Sequence, residues 1–384
     1  MPGLYIHIPF CAAKCAYCDF LSFSNMKSCV KPYMQALQAE LADYAKLYGR
    51  SRKKRSLFKK QTETPHMLQT IYFGGGTPTT VPVELLAETL IGIHQLYAVN
   101  ENAEITIEAN PETVDYDYLR GLHAAGFNRI SFGVQSFSDA LLRRIGRIHS
   151  AQTAERAVVN ARQAGFSNIS IDLMFALPGQ GMADWKQTLE AAAALAPEHI
   201  SCYSLTLAEN TPLCNENPKD LPGDDTDRDM YAAAKLFLAK AGYAQYELSN
   251  FAKPGYESRH NSLYWTGGDY IGAGLGAHSL LESRRVCNTD DLNAYLRNDY
   301  GREVLETLTD LDRRAEFMLL GLRMTKGVLE AEFEKRFRTS ITRAFGKETD
   351  ALIREGLLLH ENGRFFLTDR GMDLSNRVFM RFLA

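Results

Sequence analysis

Three of the chain's seven cysteines fall within eight positions of HIPFCAAKCAYCDF (7–20), as Cys11, Cys15 and Cys18. The other four, Cys29, Cys202, Cys214 and Cys287, are scattered. An odd count with one tight trio does not read as a disulfide framework. In a reducing compartment, clustered thiols bind metal or do redox chemistry. A structural zinc site takes four ligands, commonly as two close pairs far apart in sequence, and this chain has no second C-x2-C. A [4Fe–4S] cube normally takes four thiolates. Three would leave one iron open to a substrate or cofactor. Three unrelated reduced cysteines, or a zinc completed by His7, are the alternatives.

Other residues able to do chemistry recur along the first half. GGGTPT (74–79) combines backbone freedom with free amide donors, suited to close approach of a ligand. Glu108, Gln135 and Asp172 stand at or just past the ends of apolar runs. The plain alternatives are a turn for the glycines and a solvated strand end for Glu108.

The elements that must hold these residues alternate strand and helix. Strands are predicted at 4–8 (LYIHI), 68–73, 103–109, 128–133, 168–174 and 199–205. Amphipathic helices are predicted at 31–48, 82–97, 114–125, 151–164, 182–196 and 225–241, with a short one at 138–145. Six β/α units with right-handed crossovers give a parallel sheet curled into a (β/α)6 partial barrel of the α/β class. Functional residues of such barrels gather at the carboxyl ends of the strands. The cysteine loop, GGGTPT, Glu108, Gln135 and Asp172 all fall on that rim.

Lys plus Arg at 43 against Asp plus Glu at 46 implies no general affinity for nucleic acid. No run of about 18 apolar residues suggests a membrane span. The opening MPGLYIHIPF has no basic, apolar leader, so a cytoplasmic protein is expected.

The C-x3-C-x2-C spacing, with Tyr17 before the last cysteine, resembles the radical S-adenosylmethionine (SAM) superfamily. There three thiolates hold a [4Fe–4S] cluster, the open iron chelates SAM, and an electron donor drives its cleavage. The strings YIHIPFC, GGGTPT, ITIEANP, SFGVQSF, IGRIHS and IDLMFALPGQ narrow the resemblance to the oxygen-independent coproporphyrinogen III dehydrogenase-like branch. That resemblance implies cluster ligation by Cys11, Cys15 and Cys18, and SAM contacts from Tyr5, Gly75 and Glu108. It places Gly76, Thr77, Gln135, Arg147 and Asp172 along the adjacent part of the pocket, with Arg147 offering a bidentate fork to a carboxylate.

Two departures separate this chain from the oxidases of the branch. Their fourth cysteine, one residue beyond the third, is here Phe20. Their N-terminal arm is reduced to four residues before Tyr5. Both match the sister group of HemW-type heme chaperones. The segment SRHNSLYWTGGDYIGAGLGAHSL (258–280) also resembles that group's H-N-x-x-Y-W signature, as His260, Asn261, Tyr264 and Trp265. A neutral imidazole can ligate heme iron, and aromatic rings can pack on a porphyrin. A structural role for His260 stands beside that reading. His7, Cys29 and His278 are weaker candidates for heme contacts, and the glycines from 267 to 276 suit either a flat ligand or a tight turn. The resemblance thus implies a chaperone that carries heme to acceptor apo-hemoproteins. A coproporphyrinogen dehydrogenase that decarboxylates propionates is the alternative.

The expected organisation is a partial barrel over 1–250, a connecting segment with the heme motif over 251–307, and a winged-helix-like domain over 308–384. In the last, EKRFRTSITRAF reads as one amphipathic helix, and a hairpin is predicted to turn at Asn362–Gly363. RSRKKRSLFKK (50–60), within an insertion over 50–66, is expected to be a mobile basic loop, either simply solvated or contacting anionic lipid or an acidic partner.

Overall fold

The computed structural model describes residues 2–48 and 67–383. The basic stretch 50–60 lies outside the described residues. Six β/α units run in order: β1 (Gly3–Ile8) and α1 (Lys27–Tyr48), β2 (Leu68–Gly75) and α2 (Val83–Leu96), β3 (Val99–Ala109) and α3 (Tyr116–Ala125). They continue with β4 (Arg129–Gln135) and α4 (Ala151–Gln163), β5 (Ile169–Phe175) and α5 (Met182–Ala194), β6 (His199–Ser204) and α6 (Asp224–Lys240). A short helix, Asp139–Arg144, fills the β4–α4 connection.

Strand period explains which side chains face which way. On β1, Leu4, Ile6 and Ile8 are fully buried against the helices, while Tyr5 and His7 face the other side, the barrel interior. On β5, Ile169, Ile171 and Leu173 are buried in the same outer layer, leaving Ser170, Asp172 and Met174 inward. These two strands thus turn apolar residues to the helices and mostly polar ones to the lumen.

The segment expected to be a connection is instead part of the sheet. After β7 (Asn250–Ala252), helix α7 (Arg259–Trp265) leads to β8 (Tyr270–Ala273), which pairs parallel to β1 with Tyr5 opposite Gly272. Strands β9 (His278–Leu281), β10 (Arg284–Cys287) and β11 (Glu303–Thr307) extend the same edge antiparallel. The twelve-stranded sheet has the order β11-β10-β9-β8-β1-β2-β3-β4-β5-β6-β7, closed by a two-residue strand, Ala244–Gln245. The glycines of this segment carry no period-2 signal, which hid β8 from a sequence reading. Gly272 shows why they are needed: a Cβ there would lie 2.0 Å from the carbonyl oxygen of His278. Gly274 likewise makes room for the His7 carbonyl, 2.5 Å from where its Cβ would stand.

Residues from Ala315 to Phe382 form a second hydrophobic core. Its helices include Asp310–Gly321, Glu330–Phe337 and Ile341–Arg354. EKRFRTSITRAF is therefore two helices. Arg338 adopts φ 56°, ending the first, and Ser340 caps the next by accepting from the Arg343 amide at 3.1 Å. The hairpin Leu358–Glu361/Arg364–Leu367 turns at Asn362 and Gly363, both with positive φ, as a tight two-residue turn requires. Val328–Leu329 adds a third strand. Among the described residues no helix is long and apolar enough to cross a membrane.

Candidate functional site

A cavity of about 420 Å³ opens at the carboxyl rim of the strands. Cys11, Cys15 and Cys18 line it from the loop after β1, and Gly75, Glu108 and Asp172 from the strand ends. All three thiols are free and partly exposed. They do not converge to the spacing that one four-coordinate ion demands: no three His, Cys, Asp or Glu side chains among the described residues form such a group. Burial pushes the thiol of Cys18 up, and the neighbouring Cys15 and Cys11 add to the shift. Three thiols on one rim beside a cavity are the donor set an iron–sulfur cluster takes.

Backbone bonds fix the loop. The amides of Gly76 and Thr77 donate to the carbonyls of Ile8 (2.9 Å) and Phe10 (2.7 Å), and the Ala16 amide donates to Ile145 (3.0 Å). Gly146, with φ 76°, permits that last contact, since its Cβ would lie 3.0 Å from the Ala16 nitrogen. At the next glycines the packing partner is protein. Gly75 has φ 111°, and a Cβ there would sit 2.5 Å from the His7 imidazole. One at Gly76 would sit 2.7 Å from the Phe10 carbonyl and 3.1 Å from the Cys11 sulfur. The rim loops are thus locked against each other by residues that have no side chain to spare.

Consecutive rim loops are also chained through side chains. Thr77 Oγ1 donates to the Cys11 sulfur at 3.6 Å and accepts from Asn110 Nδ2 at 3.0 Å. Asn110 Oδ1 accepts from Arg147 Nη2 at 2.8 Å, which also bonds the Gly133 carbonyl. Arg147 Nη1 donates to the Cys15 sulfur at 3.4 Å. Burial works against the Arg147 charge, but Tyr17 and Cys15 beside it leave its pKa raised. Its buried Nε has no partner among the described residues. The fork expected to face a carboxylate is therefore largely committed to the protein, with Nε–H and one Nη1–H left over. Asn110, two residues after Glu108 in the quoted ITIEANP string, was not singled out in the sequence, though a polar residue just past a strand end was the available signal.

Glu108 accepts from Tyr72 Oη at 2.7 Å and from the Gly75 amide at 3.2 Å. Burial pushes its carboxyl up to about 7. Asp172 accepts from Ser131 Oγ at 3.1 Å and is also raised, chiefly by burial. Gln135, at φ 67°, lines the same cavity. Phe20 lies at its edge with 61% of its surface exposed.

Tyr5 stands apart from this group. It lines a second cavity, of about 400 Å³, with His7, Tyr264, Trp265 and His278. Its hydroxyl bonds His7 Nδ1 at 3.1 Å, and its ring stacks on Tyr72 at 6.2 Å. Tyr5, expected among the SAM contacts, thus lines the second cavity, on the other side of Tyr72 from Glu108.

His260 is 1% exposed. Both ring nitrogens are taken, Nδ1 by Thr70 Oγ1 at 2.8 Å and Nε2 by the Tyr264 hydroxyl at 2.8 Å. Its ring stacks on Tyr72 at 5.0 Å, and burial lowers its pKa to about 3. Glu104 holds the start of α7 by accepting from the Arg259 and His260 amides, both at 3.0 Å. Helix α7 thus plugs the amino-terminal end of the lumen. In this conformation His260 has no free nitrogen for iron. Asn261 is half-buried and lines neither cavity, and Cys29 packs against the main core.

Comparison with known proteins agrees with this layout. The profile of the radical SAM superfamily matches residues 5–192, and that of the HemN C-terminal domain residues 308–374. The heme chaperone HemW of Lactococcus lactis subsp. lactis (strain IL1403) is 36% identical, over 99% of this chain and 96% of its own. The heme chaperone HemW of Escherichia coli (strain K12) is also 36% identical, over 100% and 98%. In three dimensions the chain is similar to coproporphyrinogen III oxidase (HemN) from Escherichia coli, a radical SAM enzyme. The TM-score is 0.84 at 24% identity, over 99% of this chain and 90% of that one. That likeness is one of fold.

Proposed function

Because this chain belongs to the family of HemW heme chaperones within the radical SAM superfamily, we propose that it binds heme and passes it to acceptor apo-hemoproteins. In this reading it carries a [4Fe–4S] cluster and SAM. The observation that carries the proposal is the rim cavity, where three free thiols stand beside a glycine-built cradle and buried polar groups. Cys11, Cys15 and Cys18 would ligate the cluster. Gly75, Gly76, Thr77, Glu108, Gln135 and Asp172 would surround SAM, and the unpartnered Nε of Arg147 is a donor available to it. Cluster and SAM together supply one-electron chemistry, fed by an external electron donor.

The residues of the chain do the positioning. Arg147 and Thr77 bond the sulfurs of Cys15 and Cys11, which fixes where those sulfurs sit on the rim. Glu108, held by Tyr72 and the Gly75 amide, offers a carboxyl able to accept hydroxyl or ammonium protons. Phe20 occupies the position of the oxidases' fourth cysteine, which supports the chaperone over the coproporphyrinogen dehydrogenase.

Anaerobic reconstitution, then heme titration and a coproporphyrinogen III assay with SAM on the same preparation, tests the reading. Heme binding and transfer to an apo-hemoprotein, with no porphyrinogen oxidised, is the expected result. Efficient turnover of coproporphyrinogen without heme binding would replace the chaperone with the dehydrogenase.

A further inference from the structure

The second cavity is absorbed by neither the cluster nor SAM. At about 400 Å³ it lies within the range of small-molecule sites, roughly 300–1,000 Å³. Its walls are rings: Tyr5 from β1, Tyr264 and Trp265 from α7, and Tyr270 from β8, with Leu280 and Leu320 between them. Rings and aliphatic groups around one void suit a large, flat, apolar guest. The buried indole Nε1 of Trp265 has no hydrogen-bond partner among the described residues.

One side chain on this wall has the chemistry to bind a metal carried by such a guest. His278 is exposed, at the start of β9, directly across from Cys287 on β10. Its Nε2 lies 3.4 Å from the Cys287 sulfur. The thiol itself lies 3.1 Å from the Asn288 carbonyl, to which it donates. With the thiol proton engaged there, the tautomer that fits has Nε2–H donating to sulfur and the lone pair on Nδ1. Nδ1 has no partner among the described residues. A ring oriented through one nitrogen and open at the other is the usual arrangement of a metal-binding histidine. His260, sealed on both nitrogens, is the opposite case.

The strand that carries His278 is fixed from a distance. Glu40, fully buried on α1, accepts from the Gly274 amide (2.8 Å), Asn288 Nδ2 (2.6 Å) and Tyr295 Oη (2.6 Å). These bonds hold both ends of the β9–β10 hairpin. Arg285, also on the wall, is already paired with Glu316 and Glu306, so it is a poor anchor for a ligand carboxylate.

We propose that the heme cargo seats in this second cavity, between the α7 rings and the β9–β10 hairpin, with His278 rather than His260 meeting its iron. The inference rests on the chaperone reading above. It separates the cargo from the SAM cavity while keeping both inside one barrel, divided by the Tyr5–Tyr72 stack and its link to Glu108.

Heme titration of the cluster-reconstituted full chain tests the site. His278→Ala, at an exposed position, should keep the cluster, move the heme absorption bands and weaken binding roughly tenfold or more. Added imidazole should restore the band position by filling the vacated place. His260→Ala, in molecules that retain the cluster, should leave the band position unchanged. Ala277→Phe, which fills the cavity floor, should lower heme stoichiometry while SAM binding persists. An unaltered spectrum and affinity in His278→Ala would overturn this site and leave the chaperone reading intact. Failure of the wild-type chain to bind heme at all would overturn that reading itself.

Discussion

Around the first cavity the polar side chains are tied to one another: Thr77, Asn110 and Arg147 come from three successive rim loops and form one bonded chain ending on cysteine sulfurs. Around the second, the walls are rings drawn from β1, α7, β8 and β9, and the main polar support is Glu40, buried on the far side of the strands. A preorganised polar rim suits a charged cofactor held in one pose. An aromatic slot steadied from outside suits a flat cargo that must enter and leave. The same barrel builds both because inward-facing residues differ from strand to strand while the outward apolar layer stays constant.

The largest expected effect lies at the first cavity. Replacing Cys11, Cys15 or Cys18 with alanine should abolish cluster incorporation, read as iron and sulfide content and as loss of absorption in the blue. The folding transition of the apo chain should barely move, since these thiols are partly exposed. Retention of full iron and sulfide in any of the three variants would show that the cluster is held elsewhere. At the second cavity the largest lever is Glu40. Glu40→Ala removes an acceptor shared by three buried donors, of which Asn288 Nδ2 keeps the Gly274 carbonyl at 2.7 Å, and should cost roughly 3 kcal/mol or more in stability. Glu40→Gln, which keeps an acceptor oxygen, should recover part of the loss. Denaturant unfolding measures both. If the loosened hairpin also carries the cargo site, Glu40→Gln should weaken heme binding more than SAM binding.

The two regions were not equally legible in the sequence. Each of these rim residues lies near the carboxyl end of its own strand, so a period-2 apolar run and the polar residues at its end located Glu108, Gln135 and Asp172 directly. The bond from Thr77 to Asn110 to Arg147 depends on register between neighbouring strands, which a single sequence does not state. The second cavity joins residues from 5 to 320, and β8 is a four-residue strand, YIGA, too short to show an alternating pattern. The state of His260 was hidden for a related reason. Its neighbours Tyr264 and Trp265 mark a ring-rich site, but only the lumen packing of α7 shows that the histidine itself is closed. Packing adds a second reason for Gly75 to lack a side chain, since a Cβ there would meet the His7 ring.

A smaller effect separates the cavities by pH. Burial raises the Glu108 carboxyl from the usual 4.5 to about 7. Between those values the folded chain binds more protons at this site than the unfolded chain does. Stability from this group is fully present below the unfolded value and is lost as pH rises through the folded one. Wild type should therefore lose stability relative to Glu108→Gln as pH climbs from about 4.5 to 7. Parallel urea midpoints across that range check it. Two curves that stay parallel would mean that Glu108 is ordinary in the folded chain. Ligand occupancy of the second cavity should not alter the difference, because the Tyr5–Tyr72 stack stands between.

The smallest effect is expected at Phe20. A phenylalanine with 61% of its surface in solvent contributes little to packing, so Phe20→Cys and Phe20→Ala should each stay within about 0.5 kcal/mol of wild type. The cysteine variant restores the fourth thiol of the oxidase pattern, one residue beyond Cys18. If three thiolates suffice for the cluster, iron and sulfide content should not rise in Phe20→Cys. Lys14 already bonds the Phe20 carbonyl at 3.2 Å, and that backbone contact survives either change. Heme binding should be untouched as well, since Phe20 lines the first cavity and not the second. A gain of coproporphyrinogen oxidation in Phe20→Cys would show that one side chain at the rim, rather than the separate cargo cavity, divides chaperone from oxidase. A loss of heme binding in Phe20→Ala would show that the two cavities communicate through the cysteine loop, whose Leu21 carbonyl accepts from His7 Nε2 at 2.9 Å.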